Sequence, residues 1–171
     1  ILNMQTPVGK EIGTAGYYAA TVDHSIRAEL TVTERTGMAR YTFSSKEKQG
    51  TVIIGGGVAA TSIQVAAIKI TGPHSCEGYA EGGAFCGIPT PYKVYFVAEF
   101  DADAESFGTW KEERLHANHT FAEGNHSGVY FTFPLKEGNQ AVQYKIGVSY
   151  VSVENARENL RVENPAWDFS A

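Results

Sequence analysis

The feature of this sequence that most restricts its fold is a two-residue alternation of apolar and polar side chains, repeated in separate runs. Ile26, Ala28, Leu30 and Val32 face one way, with Arg27, Glu29, Thr31 and Thr33 opposite. Tyr92, Val94, Phe96, Ala98 and Phe100 alternate with Lys93, Tyr95, Val97 and Glu99. Val129, Phe131 and Phe133 make a shorter stripe, and Val142, Tyr144, Ile146, Val148 and Tyr150 another. A period of two places every second side chain on one face of a strand, so each run predicts a strand with one dry face. Further strands are predicted at 17–22, 37–43, 52–54 and 63–70. In the last, the apolar parity shifts from Ile63 and Val65 to Ile68 and Ile70, which predicts a bulge near Ala67.

Glycine- and proline-bearing turns separate the runs, and no strand–helix–strand rhythm interrupts them. Each strand needs a dry partner face, so the expected fold is all-β: an antiparallel β-sandwich of two stacked sheets. Only the end departs from this. Ser152 to Leu160 reads as a short C-terminal helix, with Ser152 as N-cap, Val153, Ala156 and Leu160 on one side, and Asn164-Pro165 as the stop. Trp167 and Phe169 follow it, and are expected to pack against a neighbouring domain.

The chain has 171 residues, enough for one domain with a substantial core. A net charge of −5 argues against nucleic-acid partners and anionic membrane surfaces, and no apolar run is long enough to span a bilayer. No signal peptide opens the chain, and the first residue, Ile1, marks it as a trimmed or internal segment. Asn118-His119-Thr120 and Asn125-His126-Ser127 are glycosylation sequons, which point to a secreted, extracellular glycoprotein. Cys76 and Cys86 flank a glycine-rich turn. Paired as a disulfide they would constrain the unfolded chain by about 3 kcal/mol; the alternative is two independent buried thiols.

Catalytic signals are weak. Glu99, Asp101 and Asp103 share a parity, yet read as a solvated strand end and turn. Glu77 and Glu81 flank the cysteine turn and could reach a ligand. His116 and His119 are three residues apart, a spacing expected to bring imidazoles together only on a helix, so no metal site is assigned. The Gly55-Gly56-Gly57 cluster lacks the Lys-Ser/Thr of a phosphate loop. Aromatic rings can stack on sugars, and Phe85 and Trp110, beside glycine turns, are the better candidates for exposure.

Several stretches then fall in a recognisable order: Pro7-Val-Gly-Lys-Glu11, Gly16-Tyr-Tyr18, Ile26 to Gly37, Arg40-Tyr-Thr-Phe43, Gly83-Ala-Phe-Cys-Gly87, Val94 to Phe100, Phe107-Gly-Thr-Trp110, Gly147 to Arg157, and Trp167-Asp-Phe169. The most specific is Ser149-Tyr-Val-Ser-Val-Glu-Asn-Ala-Arg157. The succession resembles the N-terminal β-sandwich domain of family 92 glycoside hydrolases, the calcium-dependent exo-acting α-mannosidases. Lys111–Ser127 is the poorly matched part.

The resemblance implies a galactose-mutarotase-like supersandwich over residues 1–151, incomplete at its N-terminal side. Residues 152–171 would be the exit helix and the start of a linker to a catalytic (α/α)₆ barrel. It further implies inverting hydrolysis of α-linked mannose, with the acid, the base and the calcium ligands supplied mainly by that barrel. This chain would then hold no catalytic residue and no cofactor of its own. Its partners would be mannose-containing glycans and the barrel of the same parent, whose expected specificity is α-1,2. For the pocket rim we take Phe85, Cys86 and Glu81, with Tyr17 and Trp110. The alternative, from a different class, is a free-standing carbohydrate-binding module or lectin.

Overall fold

The computed structural model describes residues 7–56, 63–83, 90–138 and 140–169. In them the chain forms thirteen strands and one helix. The first seven strands are β1 (Val8–Thr14), β2 (Tyr17–Val22), β3 (Ile26–Val32), β4 (Thr36–Thr42), β5 (Gln49–Gly55), β6 (Ile63–Gly72) and β7 (Ser75–Gly82). After them come β8 (Tyr92–Phe100), β9 (Ser106–Lys111), β10 (Arg114–Ala117), β11 (Phe121–Glu123), β12 (Ser127–Pro134), β13 (Ala141–Ser149) and the helix α1 (Val153–Glu163). No helix among the described residues is long and apolar enough to cross a membrane.

The strands form two antiparallel sheets, a nine-stranded one in the order β1-β2-β3-β4-β13-β8-β7-β6-β11 and a four-stranded one in the order β10-β9-β12-β5. This is the expected sandwich with a C-terminal helix. The alternating stripes supply the layer between the sheets. Phe96, Ala98 and Phe100 of β8, Val142 of β13, and Val129, Phe131 and Phe133 of β12 are all buried there. Phe100 lies 4.9 Å from Phe131 and 4.8 Å from Phe133, ring centre to ring centre, in tilted contacts that suit aromatic quadrupoles. The bulge in β6 is real but earlier than expected: the register slips between Ile63 and Val65, so Ala66, Ile68 and Ile70 all reach the core.

The nine-stranded sheet is wider than its partner. At the β1–β3 end the same inner face lacks a cover, and Tyr18 (37%), Leu30 (37%) and Val32 (63%) are exposed. The nearest strand of the smaller sheet, β5, pairs only with β12 among the described residues. Between its Val52 and Ile53 and the larger sheet's Ile26, Tyr41 and Phe43 runs a groove of about 260 Å³.

The helix lies on the opposite face of the large sheet, where it packs on β13 and β8. Ser152 caps it, its Oγ accepting from the Asn155 amide at 3.1 Å. Ala156 and Leu160 are buried against Val97, with Val153 beside them, as the periodicity predicts. Gly147 permits the close approach: a Cβ there would clash with the Ala156 carbonyl and sit 2.9 Å from Leu160 Cβ. Asn159 then ties the helix to the sheet, its Nδ2 donating to the Val148 carbonyl at 2.9 Å.

Candidate functional site

The helix α1 divides the face that carries it in two. On one side lie β8, β7 and β6; on the other lie β4, β3 and β2.

On the first side, Glu81 and Tyr79 of β7 and Lys93 and Tyr95 of β8 point outward together, because Glu81 pairs with Lys93 and Tyr79 with Tyr95 in register. The Lys93 ammonium sits 3.2 Å from the Glu81 carboxylate and 4.5 Å from the centre of the Tyr79 ring. The Tyr79 and Tyr95 rings are 6.0 Å apart. The hydrogen bond to Glu81 holds the Lys93 amine above its ordinary 10.5, so it remains an ammonium at any physiological pH. Glu77, one step along the same strand face, is ion-paired with Arg157 of the helix. At the start of β8, Tyr92 meets Tyr150, which lies just past the end of β13 and is 75% exposed.

Two aromatic rings with a carboxylate and an ammonium can hold a polyhydroxylated ligand, the rings meeting C–H faces and the charges meeting hydroxyls. Both strand carboxylates are committed to cations. The arrangement therefore reads as a binding surface and not as an acid–base pair.

Of the residues expected at the pocket rim, Glu81 is the one that stands here. It belongs to a strand and not to a turn. Phe85 and Cys86 lie outside the described residues. Tyr17 lies on the other side of the helix: its hydroxyl donates to Glu29 Oε1 at 2.9 Å, and its ring meets Phe169 edge-on at 6.4 Å. Trp110 is 1% exposed, so the expectation that it is accessible is corrected. It sits on β9, an interior strand, paired with Leu115 of β10 and Gly128 of β12, and its Nε1 finds no acceptor among the described residues.

Cys76 is a free thiol at 0% exposure, and burial, with a contribution from Glu77, pushes its pKa up to about 12. The expected partner, Cys86, lies outside the described residues, and Cys76 itself is enclosed in the core instead of at a loop. The sequon residues Asn118 and Asn125 are exposed. Asp101 and Asp103 are surface anchors: the first accepts from the Gln143 amide at 3.0 Å, and the second pairs with His74 at 2.7 Å.

The second side is closed by the chain's own C-terminal segment. Lys145, only 5% exposed, donates to the carbonyls of Asn164 at 3.1 Å and Pro165 at 3.4 Å, and its ammonium lies 4.6 Å from the Trp167 ring. Arg40 is held by Glu29 at 2.9 and 3.0 Å and covers the Phe169 ring at 4.4 Å. Glu163 accepts from the Thr33 hydroxyl and the Arg35 amide at 2.6 and 2.9 Å and pairs with the Arg35 guanidinium. Phe169 and one side of Trp167 thus rest on their own sheet, with Trp167 still 38% exposed. The sequence does not announce the Lys93–Tyr79–Tyr95 group, because Ser75–Gly82 carries no apolar stripe; as a strand, it sets Glu77, Tyr79 and Glu81 on one face by shared parity.

His116 and His119 do meet, contrary to the helical rule used above. Their rings stack at 5.3 Å because Asn118 takes a left-handed φ of 62° and reverses the chain between them. Even so, no group of three or more His, Cys, Asp or Glu side chains gathers to hold a metal among the described residues. The calcium implied by the resemblance finds no cage in them.

A search of curated protein sequences gave no significant match. Among solved structures, a family GH92 α-mannosidase of Bacteroides thetaiotaomicron superposes with a TM-score of 0.81 at 21% identity, over 96% of this chain and 23% of that one. The family GH92 inverting mannosidase of Bacteroides thetaiotaomicron VPI-5482 gives 0.78 at 21% identity, over 95% and 21%. The GH92 family glycosyl hydrolase ccman5 gives 0.79 at 21% identity, over 96% and 23%. The chain therefore spans less than a quarter of the length of each. At this identity the superpositions establish the fold, and the family comes from the sequence: residues 3–149 match the glycosyl hydrolase family 92 N-terminal domain. This chain belongs to glycosyl hydrolase family 92, as its N-terminal β-sandwich domain.

Proposed function

We propose that this chain is the non-catalytic sandwich portion of a secreted exo-α-mannosidase that cleaves α-1,2-linked mannose with inversion. It packs on a catalytic helical barrel of the same polypeptide and lends sugar contacts from the Glu81–Lys93–Tyr79–Tyr95 end, together with Phe85 and Cys86.

The observation that carries this reading is the uncovered inner face of the large sheet at Tyr18, Leu30 and Val32. Contiguous apolar surface of this kind is kept where another surface covers it. The two Bacteroides relatives are described as mannosidases and are more than four times as long as the aligned region. Inverting hydrolysis needs two carboxyl groups roughly 6.5–9.5 Å apart with a water between them. In this reading that pair, and the calcium, belong to the barrel.

The test is release of mannose from α-1,2-mannobiose by the 171-residue chain and by the natural full-length polypeptide, each with calcium and with a chelator. The expected result is no release by the chain alone and calcium-dependent release by the longer protein. Turnover by the chain alone overturns the proposal, as does a full-length protein that is inert with calcium present.

A further inference from the structure

A cleft of about 260 Å³ opens at the corner where the outermost strands of the two sheets come together. Its lining includes Thr109 and Lys111 of β9, His116 of β10, and His119, Phe121 and Glu123 on the way into and along β11. The local fold dictates this gathering. β10 is the edge of the small sheet and β11 the edge of the large one, so the three residues between them, Asn118 to Thr120, must turn the chain sharply. Asn118 does so in the left-handed region, its amide bonded to the Phe107 carbonyl at 3.1 Å, and the His119 amide reaches back to the His116 carbonyl at 3.4 Å. Phe121, which lines the same cleft as the two imidazoles, is left with 53% of its surface exposed.

The charges in the lining select among ligand classes. The Lys111 ammonium disfavours a bare metal cation between the imidazoles, and the Glu123 carboxylate disfavours a phosphate or other polyanion. A neutral ligand bearing many hydroxyls uses both, one as donor and one as acceptor, with the imidazole nitrogens able to serve either way. The exposed Phe121 ring offers the flat apolar surface that one face of a pyranose covers.

We infer that this corner is a saccharide-binding site, separate from the Glu81 end of the molecule, in which a pyranose ring stacks on Phe121 and hydrogen-bonds to His116, His119, Lys111 and Glu123. It would hold a glycan chain on the sandwich and does not take part in bond cleavage. The inference does not rest on the platform role: this chain can bind sugar here whether or not a barrel accompanies it.

The experiment is saturation-transfer NMR on the 171-residue chain, produced without glycosylation so that Asn118 leaves the corner open. The probes are methyl α-mannoside and α-1,2-mannobiose. Saturable binding on the order of 1–10 mM is expected. Phe121→Ala should weaken it about tenfold, while Phe121→Trp, which keeps a stacking face, should retain it. Circular dichroism of both variants checks that the sandwich is intact. Absence of saturation transfer at about 10 mM sugar overturns the inference. So does binding indifferent to Phe121→Ala, or displacement of the sugar by zinc chloride or inorganic phosphate, which would make the corner a metal or anion site.

Discussion

Strands β3 and β8 carry the same kind of alternating stripe, and the structure treats them differently. Phe96, Ala98 and Phe100 of β8 are 8%, 0% and 3% exposed. On β3 the exposure climbs from 8% at Ala28 to 37% at Leu30 and 63% at Val32. Both stripes point to the same side of the same sheet. Periodicity decides which way a side chain faces; whether that face is dry depends on what lies over it, and the four-stranded sheet reaches only one of the two.

The contrast can be attacked through its heaviest member. Phe131→Ala empties the centre of the covered half and should lower stability by about 3–5 kcal/mol, read from urea unfolding. A loss no larger than that of Leu30→Ala would erase the distinction between the halves. Gly147→Ala tests the other face of the same sheet: the added methyl meets the helix, and overpacking of this kind costs roughly 1–3 kcal/mol. The thermal midpoint should fall while the β-sheet signal survives.

A smaller effect is expected from acid. Glu29 is held below its ordinary 4.5 chiefly by the Arg40 hydrogen bond, with Tyr17 assisting and burial opposing. A depressed carboxyl contributes stability that is present above the unfolded value and is lost as the pH falls through the lower folded value. Comparison of wild type with Glu29→Gln across that window should show the gap between them closing toward low pH. Smallest of all, Val32→Thr should change the stability of this chain by no more than about 0.5 kcal/mol. A large loss would mean that the open end of the sheet is already covered.

Much of the fold was legible because the sequence repeats its pattern where large residues fill the layer: β3, β8, β12 and β13 were all read from their stripes. Strand β7 was not. Its inward positions are Cys76, Gly78, Ala80 and Gly82, too small to register as an apolar stripe. They are small for a reason, since a Cβ on Gly78 would lie 3.1 Å from the Phe96 ring. A strand that makes room for its neighbours leaves little trace in hydropathy. The helix was legible from Ser152, Ala156 and Leu160, because capping and a 3.6-residue spacing are local properties. Trp110 reads as accessible for the opposite reason: its burial depends on neighbours beyond its own hairpin, such as Gly128 of β12, which local pattern does not reveal.

The fastening of residues 163–169 across β3, β4 and β13 also has a mechanical meaning. Tension applied at the C-terminal end is received first by Lys145, Arg40 and Glu163, and passes into β13 and β4, two inner strands hydrogen-bonded along both of their sides. Such strands resist as a shearing unit. A tug from that end therefore loads the middle of the sheet, and the frayable margins at β1 and β11 are spared.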